Sequence, residues 1–413
     1  MIGARIRTPA TLVLAASFVG HGGNYLFYLV AARMVAPSEF AVVSALIAFG
    51  TIAMMPLNGM QSAVARDVAV LLASGGEAEL SAYLRRVLTR TAWTSIGIAV
   101  LLGGLSPVVA NWLNLGSQVL VVLAGVWLAG MAILLVLTGV AQGAERFPLV
   151  AFALGGPLGA LRPLFLPLCI VAAGVAGGMW AMLAATAVGI VVLARPVLRL
   201  AKVRPANAPR VASTPVTMAT LLLFSSLTNA DQLVSQAALP VADRGVYAGA
   251  VLLGKVALFA PSALAMVLLP RASAAIERGE RADAAVLKTI GVTALCGLAV
   301  TGALCAIPAS MLAATFGPAY VGSKPYLAPL ALVMTAAAVL WVHVTFAIAR
   351  RSRAMAFGLA LAAACHWSLL GLFHASPGQV IAASATVIGA TLIGVELFSS
   401  GGVARMLVRG RAS

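Results

Sequence analysis

The chain is short of charge. Only 9% of its 413 residues are Asp, Glu, Lys or Arg, and only 11 of these are acidic. Soluble domains carry about 25% charged residues. Against that scarcity, 62% of the chain is hydrophobic. No compact fold of this length has the interior to hide that much apolar surface from water. A soluble enzyme, a secreted domain and a disordered chain are thereby excluded. Cysteine is scarce as well. Cys169, Cys296, Cys305 and Cys365 all fall in apolar runs, without CxxC spacing or nearby metal-ligand partners. They predict small buried apolar residues, with neither a disulfide nor a metal site. Catalytic signatures are missing: there is no HExxH and no nucleophile elbow. Gly249 to Gly254-Lys255-Val256 nearly spells a P-loop, but Val256 stands where Mg²⁺ needs a hydroxyl, and the motif lies inside an apolar run. The chain is therefore read as a non-enzyme without a cofactor.

What is present is a series of continuous apolar runs of roughly 20 residues, the signature of membrane-crossing helices. Strands of a membrane barrel would alternate over about 10 residues. Twelve spans are predicted, near 9–32, 40–60, 91–110, 118–141, 148–173, 177–194, 216–239, 246–269, 287–307, 326–348, 354–373 and 379–399. Segments 61–90 and 271–286 read as longer, amphipathic cytoplasmic pieces. Segment 195–215 carries Arg195, Arg199, Lys202, Arg204 and Arg210 with four prolines. It reads as a basic cytoplasmic linker between an N-terminal six-helix lobe (1–194) and a C-terminal one (216–413). Arg5 and Arg7 before the first run mimic a signal peptide, but that run continues past His21, Gly22, Gly23 and Asn24 to Ala32, so a retained helix is predicted.

The net charge of +16 sits in the segments between runs. With the N-terminus inside, 22 of the 27 Lys and Arg residues fall on the cytoplasmic side. Only Arg33, Arg244 and Lys324 fall outside, and Arg162 and Lys255 lie within spans. This asymmetry predicts an even number of spans and cytoplasmic termini. It also assigns the basic residues to anionic lipid rather than to nucleic acid. The halves repeat each other. Asn24 and Asn229, Pro56 and Pro261, and Arg66 and Arg271 are each 205 residues apart. Six spans per half make the repeats parallel, a common transporter plan, with the lobes around a central cavity.

Particular residues carry a resemblance. Gly23-Asn24-Tyr25-Leu26 through Ala36-Pro37-Ser38-Glu39-Phe40 resembles the opening of polysaccharide-biosynthesis flippases. So do Thr228-Asn229-Ala230-Asp231-Gln232, Gly245-Val246-Tyr247-Ala248, Gly254-Lys255 through Ala260-Pro261, Leu269-Pro270-Arg271 and Phe316-Gly317-Pro318-Ala319-Tyr320. No one of these is specific; their order along nearly the whole chain is. The family belongs to the multidrug/oligosaccharidyl-lipid/polysaccharide exporter superfamily. The resemblance implies an all-α membrane protein, a V-shaped transporter of two six-helix lobes. It also implies outward movement of lipid-linked saccharides across a bacterial inner membrane, with a glycan polymerase or glycosyltransferases as candidate partners.

An ionisable group at membrane depth costs about 2.5–3.5 kcal/mol on insertion scales, so each one asks for a reason. Arg162 and Lys255 are candidates for a substrate headgroup, with Asn24 beside them: Arg offers a fork to phosphate and Lys a point charge. The alternative for Lys255 is snorkelling to the outer surface. Asp231 lies with Asn229, Gln232 and Gln236 in a polar stripe on the seventh span. It either couples transport to an ion or pairs statically with Lys255 or Arg162, holding the lobes together. His21 beside Asn24, and His343, are either helix-to-helix hydrogen-bond partners or proton relays, as is His366 in the first sense. Glu396 reads as solvated or interfacial. Pro56 and Pro261 are hinge candidates or static kinks, and Gly20, Gly22 and Gly23 let the first helix bend or pack closely.

Three readings of function follow: a flippase for lipid-linked saccharides working by alternating access, a cation-coupled multidrug antiporter, or a nontransporting scaffold of a polysaccharide-assembly complex. A cationic drug needs an acidic cavity, whereas Arg162 and Lys255 against Asp231 favour an anionic substrate.

Overall fold

The computed structural model describes residues 9–200, 215–259, 283–350 and 352–398, and these are helical throughout apart from short turns. The helices are α1 (Pro9–Met34), α2 (Pro37–Ala73), α3 (Glu77–Gly104), α4 (Ser106–Trp112), α5 (Val119–Gly143), α6 (Phe147–Gly155), α7 (Leu161–Ala173) and α8 (Gly177–Leu200) in the first half. The second half has α9 (Pro215–Ala238), α10 (Val241–Gly254), α11 (Asp283–Ala306), α12 (Ala309–Thr315), α13 (Lys324–Ala349), α14 (Arg353–Leu372) and α15 (Pro377–Phe398). The chain divides into two compact units, Met1–Met218 and Ala219–Ser413. Pro261, Arg271, the segment 271–282 and most of the linker lie outside the described residues; α8 itself continues through Arg195 to Leu200.

The helix order repeats. The starts of α10, α12, α13 and α14 follow those of α2, α4, α5 and α6 by 203 to 206 residues, so that even the short α4 has its counterpart in α12. In each unit the fourth long helix is the most enclosed. α5 and α13 bury most of their length, and each packs against the helices around it. Their composition explains the placement, since both are apolar on all sides, which is what a helix surrounded by other helices requires.

Nine helices among the described residues are long and apolar enough to cross a membrane. The stretch Phe147–Leu200, counted once, is broken after Ala173 by Gly174 with φ of +55°, so it supplies two crossings. α9 and α10 are absent from that set for a physical reason. α9 carries Ser225, Ser226, Thr228, Asn229, Asp231, Gln232, Ser235 and Gln236. α10 ends after 14 residues at Lys255, although helical residues resume at Val256.

Two sequence expectations are corrected. Segment 61–90 is not a separate amphipathic piece. It comprises the end of α2, a tight turn at Ser74-Gly75-Gly76, and the start of α3. Gly75, at φ of +72°, takes the left-handed conformation that lets the chain reverse between the two helices. The cysteines are free, but they are not buried: Cys296, Cys305 and Cys365 are exposed and Cys169 is half-buried. On an apolar helix surface facing lipid, a thiol needs no burial in protein.

Candidate functional site

In the first unit, α1 lies directly on the junction between α6 and α7. That junction is a π-turn, Gly156–Ala160, in place of α-helical winding. A Cβ on Gly23 would collide with the backbone of Gly159, and one on Gly20 would stand 2.8 Å from the Leu154 carbonyl oxygen. Small residues are thus what allow the two backbones to approach. Gly22 is different: a Cβ there would meet nothing within 4 Å. The π-turn loosens the helical ladder, and the carbonyl of Pro157 accepts a hydrogen bond from Arg162 Nε at 3.1 Å. Arg162 is 6% exposed. Its Nη1 donates to Asn24 Oδ1 at 3.3 Å, reaching α1 across 138 residues of sequence. Its Nη2 is buried with no hydrogen-bond partner among the described residues. No carboxylate pairs with it there. Tyr28, one turn beyond Asn24, lies within the guanidinium's field, and its ring packs edge-on against Phe27 and Phe40. His21 is exposed. Pro56 stands inside an unbroken α2.

In the second unit, Lys255 does not snorkel. It is 7% exposed, and its Nζ donates to Asn229 Oδ1 at 2.6 Å and to Gln232 Oε1 at 2.7 Å. Positions i and i+3 share a helix face, so these two amides form one receptor on α9. Asp231 is not part of that face. Its Oδ2 accepts from the Tyr247 hydroxyl at 2.8 Å, and its Oδ1 is buried with no partner among the described residues. No ion pair between Asp231 and Lys255 occurs there, so the static pair expected between them gives way to amide and phenol partners. The carboxylate's field nonetheless reaches both Lys255 and His366.

The histidines divide. His366 Nε2 meets Ser384 Oγ at 3.0 Å, joining α14 to α15. His343 Nε2 lies 2.8 Å from Glu396 Oε1, with side-chain exposures of 1% and 27%. Glu396 is therefore half-buried and paired, not simply solvated. The near P-loop lies within α10 and the turn at Lys255, with no strand before it.

Sequence reasoning placed the cations but missed their surroundings. The π-turn had a visible signal in Gly155-Gly156-Pro157. Tyr28, Tyr247 and the His343–Glu396 pair had none beyond residue type. The repeat shows how the units diverged. Asn24 and Asn229, 205 apart, each accept from a buried cation. The position equivalent to Lys255 is Gly50, over which the Trp127 ring packs so tightly that a Cβ would collide with it. The position equivalent to Arg162 is Trp367, whose Nε1 donates to Ser226 Oγ at 3.0 Å on α9. Each unit thus has one buried cation on its first helix's asparagine, supplied from a different place.

Neither a protein family nor a curated protein matches the sequence. Solved structures do. An inward-facing MATE-family multidrug resistance transporter of the MOP superfamily aligns with a TM-score of 0.71 at 13% identity, over 98% of each chain. The lipid II flippase MurJ, in an inward closed conformation, aligns with a TM-score of 0.70 at 11% identity, over 97% of this chain and 89% of that one. A MOP superfamily transporter from Pyrococcus furiosus, described as having a binding pocket of reverse polarity, aligns with a TM-score of 0.55 at 15% identity, over 98% and 96%. The chain is thus an all-helical, multi-pass membrane protein with the fold of the MOP superfamily transporters.

Proposed function

We propose that the protein is a flippase that moves lipid-linked oligosaccharide or polysaccharide precursors outward across a bacterial inner membrane by alternating access. The observation that carries this reading is the pair of buried cations without carboxylates: Arg162 with a buried, unpartnered Nη2, and Lys255 held only by amide oxygens. Each pays the cost of membrane burial without the usual compensation. At either cation an anionic diphosphate headgroup supplies that compensation, accepting from the guanidinium fork of Arg162 or from the ammonium of Lys255. Asn24, Asn229 and Gln232 hold the cations in place and offer amides to sugar hydroxyls. The MurJ likeness agrees with a lipid-linked substrate, and the reverse-polarity neighbour is a precedent for pocket charge separating functions on this fold.

Asp231 supports a coupling role within the same reading. Its Oδ1 is a buried acceptor without a partner among the described residues, so a proton or cation there satisfies it. His21 stands as a secondary candidate for that role, and Pro56 and Pro261 as hinges. The halves 1–194 and 216–413, joined by the basic segment 195–215, serve as the two moving bodies, with both termini in the cytoplasm. The test is reconstitution in liposomes with a fluorescent lipid-linked saccharide. Arg162→Ala and Lys255→Met each slow headgroup transfer at least tenfold while leaving the amount of folded protein unchanged. A cationic drug transported faster than the saccharide would favour the antiporter reading. Full pathway function with both cations and Asp231 replaced would favour the scaffold reading.

A further inference from the structure

Residues 147–173 do not wind as one α-helix. α6 ends at Gly155, α7 begins at Leu161, and the π-turn Gly156–Ala160 joins them. The Leu161 N–H reaches back to the Gly156 carbonyl. In α winding it would reach back four residues, to the carbonyl of Pro157. That carbonyl is met by a side chain instead, accepting from Arg162 Nε at 3.1 Å. A side chain inserted into the backbone ladder in this way keeps a helix from closing to regular winding.

Little else favours one winding over the other. Pro157 and Pro163 have no N–H, so the carbonyls of Ala153 and Gly159 cannot receive the bonds that α winding would give them. Gly155, Gly156 and Gly159 bring no side chain to resist a change. The repeat displays the other winding. α14, the counterpart of this span, is α-helical without interruption from Arg353 to Leu372, and it carries Trp367 at the position of Arg162.

The guanidinium decides when the turn is held. Its Nη2 is buried without a partner among the described residues, its Nη1 donates to Asn24 and its Nε to Pro157. An anion in the side-on fork, Nε with Nη2, keeps the bond to Asn24. Nε has a single hydrogen, so that anion displaces the Pro157 carbonyl. It brings the attraction of opposite charge, which a carbonyl lacks. The displaced carbonyl is not orphaned, because the Leu161 N–H can move to it.

We infer that the bond from Arg162 to Pro157 is a latch: an anionic headgroup in the side-on fork of Arg162 releases the Pro157 carbonyl, and the π-turn rewinds to α-helix. Removing a π-turn rotates α6 and α7 by about 100° relative to each other and lengthens the pair by about 1.5 Å. Gly159 lies in the turn against α1, where a Cβ would stand 2.7 Å from the Gly20 Cα. Rewinding therefore obliges α1 to reseat, and binding at one side chain moves three helices. The identity of the anion as a transported headgroup rests on the flippase reading above. The holding of the turn by the guanidinium does not.

The experiment measures distances by double electron–electron resonance in the full-length, cysteine-free protein in phosphatidylcholine nanodiscs. The spin-label pair Leu168→Cys/Val191→Cys reads α7 against α8, and Leu149→Cys/Val191→Cys reads α6 against α8. Leu168 and Val191 are exposed, and Leu149 is half-buried. Saturating undecaprenyl diphosphate is expected to shift one pair by several ångströms and leave the other in place. Undecaprenol, without the anion, is expected to shift neither. Arg162→Met cannot donate to Pro157 and is expected to show the shifted distance with no probe present, with no further response to the diphosphate. A guanidinium that only binds would leave Arg162→Met at the wild-type distance. That result overturns the inference, as does a wild type whose distances do not change, or both change, with the diphosphate. The wild-type titration decides alone if Arg162→Met does not fold. Saccharide transfer in liposomes, measured alongside, separates the two claims. Transfer with unchanged distances leaves the flippase reading standing without the latch, and a shift without transfer does the reverse.

Discussion

The residue scale turns on how a buried charge is satisfied. Arg162 uses one nitrogen for the π-turn and one for α1, and its third remains without a partner among the described residues. Lysine keeps the charge but has neither the fork nor the reach to make both bonds. Arg162→Lys is therefore expected to retain folded protein and lose most headgroup transfer, placing it near Arg162→Ala in a liposome assay. Wild-type rates in Arg162→Lys would show that charge alone suffices. Tyr247 is the only described group donating to Asp231. Tyr247→Phe removes it and leaves a second carboxylate oxygen buried without a donor, a cost of about 1–3 kcal/mol. Thermal unfolding in detergent should show a lowered midpoint, and an unchanged midpoint would contradict a structural role for this hydrogen bond. Arg162 and Lys255 were legible in the sequence because charge in an apolar run is conspicuous. Their partners were not, since Asn24 is 138 residues from Arg162 and nothing in local spacing links them. Asp231 was misplaced with Asn229 and Gln232 because a stripe read at helical spacing overlooked that i and i+2 point to different sides.

At the scale of elements, the junction of α1 with the π-turn brings two backbones into direct contact. Gly23→Leu should prevent α1 from seating and abolish stable protein, while Gly22→Leu, which meets nothing, should be tolerated. Size-exclusion profiles of the two variants check this, and equal behaviour would contradict the packing described. Hydropathy located most spans because lipid demands continuous apolar runs. It failed at 61–90, where α2 and α3 extend past the apolar portion and their polar ends look like a separate segment. The span expected near 216–239 is α9, whose length from Leu227 to Gln236 is buried among other helices and whose polar residues are met by internal hydrogen bonds. The 205-residue repeat, suggested by a few polar and proline matches, extends to the helix boundaries of each unit.

For the whole molecule, the asymmetry of basic residues makes a topological prediction. Ser74, in the turn between α2 and α3, belongs to the cytoplasmic side, and Ser117, before α5, to the outer side. Both are exposed. In a cysteine-free background, a membrane-impermeant maleimide should label Ser117→Cys in intact cells and Ser74→Cys only after permeabilisation. The reverse pattern would invert the orientation and with it the direction of transport.

The central claim is that buried cations on this fold serve an anionic, lipid-anchored headgroup. Leaflet-to-leaflet transfer of a labelled lipid-linked saccharide in proteoliposomes, compared between wild type and Arg162→Ala/Lys255→Met, tests it most directly. The account predicts transfer well above that of empty vesicles for the wild type and close to that of empty vesicles for the double variant. Wild-type transfer no faster than empty vesicles, with and without an ion gradient, would contradict it.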